Sequence, residues 1–434
     1  MFRGEFMRFI HAADLHIDSP LRGLSRYEGA PLEQLRGATR RALGRLVELA
    51  IDEDVDFVLI AGDLYDRDWL DFHTGLFVRE QMVRLGKKNI RVFIVQGNHD
   101  AQGVITRQVP WPDNVKVFSH RKAETVRLEE LKVAIHGHSF ADREVPEDLV
   151  PGYPAAVAGF FNIGLLHTSL TGIAGHDTYA PTSLPVLQTK GYDYWALGHI
   201  HARQVVCEQP RVVFPGNLQG RHARETGPKG CELVDVTSTG VLEARFVPLD
   251  VVRWHQLQID LAPTLSLNDL PRHVTQALQS AVTSAGDALH AVRVLLGGES
   301  PLHALEARQP GTLAAAVQAA AQDVTGVEVW IEQVKLDLRS TVDRAQLAHG
   351  NDALGELVRG VDVRSADSQA LTVFCRDTLS EVLTKVPPEV HAAMGLEAES
   401  QDMPRLDDVA ALLALVKDAE ATFLARLNAG EVQS

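Results

Sequence analysis

Arg8-Phe9-Ile10-His11-Ala12-Ala13-Asp14-Leu15-His16 is a short apolar run that delivers a carboxylate and an imidazole at its carboxyl end. The run reads as a buried strand, and the pattern recurs. Phe57-Val58-Leu59-Ile60 leads into Gly62-Asp63-Leu64-Tyr65-Asp66, and Val92-Phe93-Ile94-Val95 leads into Gly97-Asn98-His99-Asp100. Ile163-Gly164-Leu165-Leu166 leads into His167, and Trp195-Ala196-Leu197 into Gly198-His199-Ile200-His201. Amphipathic stretches at residues 32–52 and 73–85 read as helices. Strands alternating with helices imply an α/β layered fold. Ligands at the carboxyl ends of neighbouring strands converge on one crevice, and Gly62, Gly97 and Gly198 are expected to make the sharp turns that expose them.

Further strands are expected at residues 132–136, 211–214 and 231–236. Helices thin out after about residue 130, so a second, more antiparallel sheet is expected, packed on the first with helices outside. Residues 251–340 read as a small α+β unit: strand 255–259, helix 270–285, strand 290–296, helix 312–323, strand 327–335. Residues 341–434 read as mostly helical, and the leucines of 407–427 recur at helical spacing, which suits core or partner packing.

The chain has 434 residues, 45% apolar and 23% charged, as in a globular protein with room for two or three cores. Three scattered cysteines imply neither a disulfide framework nor a zinc knuckle and fit a reducing, cytoplasmic setting. The most apolar stretch, residues 150–166, is broken by Pro151, Gly152, Pro154 and Asn162, so no membrane span is expected. No signal peptide is read at the N-terminus. Net charge is −15, and residues 1–250 carry 28 Lys/Arg against 32 Asp/Glu. Nucleic-acid binding at phosphates needs a local basic face or one supplied by a partner.

The chemistry follows from the residue types. Hydrolysis of a phosphodiester needs a nucleophile, neutralisation of developing charge and help for the leaving oxygen. Two divalent cations about 3.5–4 Å apart supply the first two, held by His, Asp and Asn around one shared carboxylate. The series D-x-H, G-D-x-x-D, G-N-H-D, a lone His and G-H-x-H resembles that of the calcineurin-like metallophosphoesterases. Within them the chain is most similar to the bacterial SbcD and YhaO branch of DNA-repair exonucleases. Ile10-His11-Ala12-Ala13-Asp14-Leu15-His16, Pro215-Gly216-Asn217 and Gln219-Gly220-Arg221-His222-Ala223-Arg224-Glu225 carry that likeness.

The resemblance implies a four-layer α/β/β/α sandwich over residues 7–250, a small α+β capping domain over 251–340 and a helical C-terminal region over 341–434. It implies that Asp14, His16 and His201 bind one cation, that Asn98, His167 and His199 bind the other, and that Asp63 bridges both. His99 would protonate the leaving 3′ oxygen, with Asp66 orienting its ring. Manganese is the metal the family leads one to expect, and the mixed N/O donors also suit iron or zinc. The activity implied is a DNA exonuclease or endonuclease in repair. The alternative is a phosphodiesterase or phosphatase for small nucleotides. The partners implied are DNA and an SMC-like ATPase of the SbcC type docking on the helical region, with a homodimer a further expectation.

Arg203, Arg221, His222, Arg224 and Lys229 form the basic cluster nearest the motifs, read either as a solvated loop or as phosphate contacts. His136 and His138 imitate G-H-x-H without its context and read as structural, or as lining the cleft. His11 reads as buried support for the ligands. His73, His120 and His176 read as surface residues, and Phe160 and Phe161 as core.

Overall fold

The computed structural model describes residues 6–19, 31–66, 72–101, 109–170, 179–237, 240–261, 266–282, 287–383 and 408–427. His176 lies outside them. The chain forms two compact units that interleave along the sequence. The first takes Met1–Gln256, Ala281–Arg293 and Thr325–Gln333, and the second Leu257–Ser280, Val294–Val324 and Val334–Ser434.

The strands of the first unit are β1 (Phe6–Ala12), β2 (Phe57–Ala61), β3 (Arg91–Val95), β4 (Val115–Val117), β5 (Glu124–Leu128), β6 (Val133–Gly137), β7 (Phe161–His167), β8 (Tyr194–Gly198), β9 (Gln204–Glu208), β10 (Arg211–Phe214), β11 (Gly230–Thr237) and β12 (Gly240–Pro248). They build two six-stranded sheets, β12-β11-β1-β2-β3-β4 and β5-β6-β7-β8-β10-β9. Both are mixed. In the first, β1, β2, β3 and β4 run parallel and β11 and β12 add antiparallel. The second is not the more antiparallel sheet expected. β6, β7, β8 and β10 are parallel at its centre, and only its edge strands β5 and β9 are antiparallel. Scarcity of helices in the sequence misleads here, because among the described residues the β6–β7 crossover runs through irregular chain and one 3-10 turn, and the β7–β8 crossover holds one short helix, Leu184–Gln188.

The central strands are mostly apolar because both of their faces are covered, and their buried polar members, such as His11, His136 and Asn162, are hydrogen-bonded. β2 and β6 are buried throughout. Phe9, Phe57 and Phe93 of one sheet meet Ile135, Ile163, Tyr194 and Val213 of the other in a shared layer. Phe9 stacks on Phe57 at 5.1 Å and meets Tyr194 edge-on at 5.2 Å. The outer face of the first sheet packs on α2 (Ala38–Asp52) and α3 (Phe72–Gly86). α2 buries Ala42, Leu43, Leu46, Val47 and Ala50, an i, i+3, i+4 stripe. Each leucine contributes about 2 kcal/mol by leaving water. The helix expected over residues 32–52 is broken into α1 (Leu32–Arg36) and α2 at Gly37, whose backbone caps the first segment. The outer face of the second sheet packs Trp195, Leu197 and Phe214 against Tyr153, Leu187 and Tyr192.

The third sheet has order β13 (Val252–Asp260), β14 (Leu289–Glu299), β15 (Val329–Arg339). In the second unit, the helix Leu270–Ala281 buries Leu270, Val274 and Leu278 at i, i+4 spacing. Thr275 Oγ1 donates to the Ala320 carbonyl, 3.0 Å away, in the helix Thr312–Gln322. The C-terminal helices Ser368–Leu383 and Val409–Leu427 pack together around Leu371, Cys375 and Leu412, and Ala353–Ala366 lies against both. Arg344 clamps them by donating to Glu420 at 2.8 Å and Asp362 at 2.6 Å. Among the described residues no helix is long and apolar enough to cross a membrane.

Candidate metal centre

Asp14, Asp63, His167 and His199 stand at or just past the ends of β1, β2, β7 and β8, and Asn98 follows β3. The backbone is bent hard to aim them. Asp14, His16, Asp63 and His199 all have positive φ (51°, 42°, 50° and 105°). This region is disfavoured for residues with a Cβ, and each instance costs on the order of 1–3 kcal/mol, held by its surroundings. The hold is visible here. Asp14 N–H donates to the Gly62 carbonyl at 3.1 Å and His16 N–H to that of Asp63 at 3.0 Å. His99 N–H donates to Asp63 Oδ1 at 2.9 Å, and His199 N–H to the Asp14 carboxylate at 3.0 and 3.1 Å.

Of the three glycines expected to make sharp turns, only Gly62 has a positive φ (92°). Gly97 and Gly198 serve instead by close approach. A Cβ on Gly97 would lie 2.3 Å from Asp63 Oδ1, and one on Gly198 1.8 Å from the Ala61 carbonyl oxygen.

The ligand atoms converge. His16 Nε2 is 3.2 Å from His201 Nε2 and 3.8 Å from Asp63 Oδ2. His201 Nε2 is 4.0 Å from Asp14 Oδ1. On the other side of Asp63, His167 Nε2 lies 3.5 Å from Asp63 Oδ2 and 3.0 Å from Asn98 Oδ1. The rings of His167 and His199 meet edge-on at 5.3 Å. Asp14, His16 and His201 form one ligand group, and Asp14, Asp63 and His167 another. All seven candidate ligands therefore gather in one place, with Asp63 between the two halves. Such a set of carboxylates, imidazoles and an amide suits a pair of divalent cations. Four imidazole-bearing ligands crowded around buried carboxylates, with lone pairs facing one another, make a poor apolar core and a good cation cage.

Burial sets the electrostatics. It pushes the Asp14 carboxyl up, and the nearby Asp63 charge adds to that. It pushes His16 well down, helped by Arg221, so His16 is a neutral imidazole with a lone pair to give. Burial would also raise Asp66, but bonds from His99 and Ser19 and the Arg221 charge hold it well below the usual carboxylate range. His99 Nδ1 is 2.8 Å from Asp66 Oδ1, which fixes the ring against that carboxylate. His16, Asp66 and His99 also bring ligand atoms within 4.8 Å of one another. The direct Asp66–His99 bond favours pairing of these two over ligation.

Several participants were invisible as ligands in the sequence. Asp100 is buried and accepts N–H bonds from Leu64 (3.1 Å), Tyr65 (3.0 Å) and Gly97 (3.2 Å), pinning the Asp63 loop to the Asn98 loop. Burial, and then the Asp63 charge, raise its carboxyl. Glu225 accepts from His201 Nδ1 at 2.7 Å, Asn217 Nδ2 at 3.0 Å and Arg221 N at 2.6 Å. His167 Nδ1 donates to the Ala61 carbonyl at 2.9 Å, fixing that ring in turn. Lys229 Nζ donates to the His201 carbonyl at 2.7 Å. Asp100 and Glu225 sat inside stretches already singled out, but nothing in their type separates a loop-pinning carboxylate from a ligand.

Asp63, Asn98, His199 and His201 line a cleft of about 780 Å³, together with His99, Tyr179, Arg221, His222 and Arg224. Arg203 is not among its lining residues. Its Nε donates to buried Glu232 at 2.6 Å and its guanidinium lies over Phe246 at 5.2 Å, so it braces β11 and β12. Arg221 is in the cleft but committed to Asp66 (3.5 Å) and Glu225 (3.3 Å). His222 and Arg224 are exposed.

The other histidines are structural. His136 is buried, bonded to Thr125 and Asn162 and stacked on Tyr192 at 4.2 Å. Neither it nor His138 lines the cleft. His11 bonds Tyr194 Oη and the Leu197 carbonyl, both at 3.1 Å, and so ties the two sheets together behind the ligands. His73 and His120 are exposed. Phe160 is not a core ring: it is half-buried beneath Arg127 and Lys132, at 5.9 and 5.2 Å.

Two mixed sheets face to face, with Asp, His and Asn gathered at their strand ends, define a metallophosphoesterase. A family model described as calcineurin-like phosphoesterase matches residues 7–203, and one described as the middle domain of metallophosphoesterase YhaO matches residues 254–339. The uncharacterized metallophosphoesterase YhaO of Bacillus subtilis (strain 168) is 35% identical over 360 residues, covering 82% of this chain and 87% of that protein. The chain belongs to the YhaO family of calcineurin-like metallophosphoesterases. Solved structures also resemble it. GAP50, the anchor in the inner membrane complex of Plasmodium, is 14% identical, with a TM-score of 0.35, covering 56% of this chain and 85% of that one. TT1561 of Thermus thermophilus is 14% identical, with a TM-score of 0.33, covering 56% and 99%. A dimetal phosphatase from Danio rerio is 12% identical, with a TM-score of 0.32, covering 56% and 99%.

Proposed function

We propose that the chain is a two-metal phosphodiesterase that cuts DNA. The observation that carries the reading is the pairing of His99 with Asp66 beside the seven-ligand cluster, in a cleft that His99 lines together with Asp63, Asn98, His199 and His201. Asp14, His16 and His201 would hold one cation and Asn98, His167 and His199 the other, with Asp63 shared. When bound, the pair supplies neutralisation of the phosphate's charge and a water acidic enough to attack near pH 7.

The protein's own side chains do the rest. Asp66 accepts a hydrogen bond from His99 Nδ1 and so aims the ring to deliver a proton to the leaving 3′ oxygen. Asp100 holds the loops of Asp63 and Asn98 at fixed separation, so the shared carboxylate does not have to reorganise. Arg224 and His222 stand exposed on the cleft wall, where a neighbouring backbone phosphate would meet them. The SMC-like ATPase suggested by the sequence would supply the wider basic surface that this acidic chain lacks. Exposed Val363, Val373, Phe374 and Phe423 on the C-terminal helices are candidates for its docking.

One observation favours the second reading, a small-nucleotide phosphodiesterase. With Arg203 tied to Glu232 and Arg221 to two acids, few cations remain to track a polymer. The test is turnover of labelled single- and double-stranded DNA against cyclic and mononucleotides in manganese. Faster cleavage of DNA is expected, with loss on Asp63→Ala or His99→Ala. Preference for a mononucleotide would transfer the reading to small substrates, and DNA cleavage that survives both substitutions would refute the site.

A further inference from the structure

The loop Pro215 to Glu225 places a carboxylate and a guanidinium between the two working halves of the site. Glu225 is buried and its Oε1 lies 2.7 Å from His201 Nδ1. Its other oxygen accepts from Asn217 Nδ2 at 3.0 Å and from Arg221 N–H at 2.6 Å, so the carboxylate is fully engaged and cannot swing. A ring whose Nδ1–H is given to a carboxylate keeps its Nε2 lone pair for a cation, and the carboxylate makes it a stronger donor. His201 Nε2 is the atom that meets His16 Nε2 at 3.2 Å.

Arg221 reaches the other way. NH2 lies 3.3 Å from Glu225 Oε1, while NH1 lies 3.5 Å from Asp66 Oδ2 and 3.3 Å from Ser19 Oγ, which itself donates to Asp66 at 2.6 Å. Asp66 is the carboxylate that holds His99. One guanidinium thus joins the acid behind a metal ligand to the acid behind the proton donor. Two carboxylates on separate loops, each in place before any substrate arrives, need such a cation between them. Lysine, with a point charge and no fork, could not face both.

We propose that Glu225 is a positioning residue for His201, and that Arg221 is the strut that locks Glu225 to Asp66, so that the first-cation side and the His99 side of the site hold as one piece. This rests on the two-cation reading and not on the choice of DNA as substrate.

The experiment is calorimetric titration of manganese into the purified full-length chain, with unfolding followed alongside. Wild type is expected to bind two ions, and failure to do so would sink the two-cation reading itself, separately from this inference. Glu225→Gln keeps the shape, and an amide oxygen that can accept from Asn217, but not the charge. It is expected to weaken one of the two ions about 10–100-fold and leave the other unchanged, an internal control for folding. Unaltered binding of both ions, or equal loss of both, would overturn the assignment.

The strut is tested by coupling. In the wild-type background, the losses in kcat from Asp66→Asn and Glu225→Gln should be non-additive, and in an Arg221→Ala background they should add. Arg221→Lys should behave like Arg221→Ala. Additivity in both backgrounds, or an Arg221→Ala effect confined to KM, would make Arg221 a substrate clamp and overturn its role as a strut.

Discussion

At the scale of single residues, what sets His99 apart from the candidate ligands is its partner. His99 shares a cleft with them, yet its Nδ1 is committed to Asp66 at 2.8 Å. His99→Ala should therefore retain manganese at the wild-type stoichiometry while kcat falls about 10²–10⁴-fold, the usual range for losing a proton donor. Measured metal content alongside kcat checks it; loss of an ion would place His99 among the ligands. His11 makes a different prediction. It is wholly buried, and burial pushes its pKa down to about 3 from near 6.5. The unfolded chain protonates this ring below about pH 6.5 and the folded chain does not until near pH 3. Its contribution is thus complete above pH 6.5 and drains away as pH falls, by up to about 1.4 kcal/mol per pH unit. Denaturant unfolding at pH 7.5 and pH 5 should show the wild type losing more on acidification than His11→Gln. Equal losses would mean that the ring is protonated in the fold.

At the scale of elements, the strands that carry ligands were the most legible, for a physical reason. Phe57–Ala61 is covered on both faces and apolar throughout, and residues 92–95 likewise, so each run stands out from its neighbours. The strands that the sequence did not reveal lie at sheet edges. Glu124–Leu128 and Gln204–Glu208 have one neighbour and mostly half-exposed side chains, so polar residues interrupt the pattern. Val115–Val117 is too short to signal anything. The short helix Leu302–Arg308 was likewise unseen. In the site, the ligand types and spacing were readable from Asp14 to His201. What was not readable is which carboxylates serve the ligands from behind, because Glu225 and Asp100 differ from ligands only in what the fold puts beside them. Tight packing at one strand end gives this scale its own test. A Cβ on Gly198 would lie 1.8 Å from the Ala61 carbonyl oxygen. Gly198→Ala should cost about 1–3 kcal/mol, seen as a lower thermal midpoint, whereas Gly159→Ala, with nothing near its Cβ, should show no clash of this kind. Equal midpoints for wild type and Gly198→Ala would show that β8 and β2 can part without cost.

At the scale of the whole molecule, the buried cluster is a source of strain that bound cations would relieve. Four ligands or their neighbours hold left-handed backbone, and Asp14 and Asp63 are buried near one another with little to balance them but imidazoles. Ions that bind only the folded chain stabilise it by mass action, about 4 kcal/mol at a thousandfold excess over Kd. Chelation should lower the unfolding midpoint by several degrees, and added manganese should restore it. An unchanged midpoint would mean that nothing binds. The most direct measurement is anomalous scattering from crystals of the full chain grown in manganese. Two peaks about 3.5–4 Å apart, both within bonding reach of Asp63, one beside Asp14, His16 and His201 and the other beside Asn98, His167 and His199, are predicted. A single peak, or none at Asp63, would contradict a shared two-cation centre.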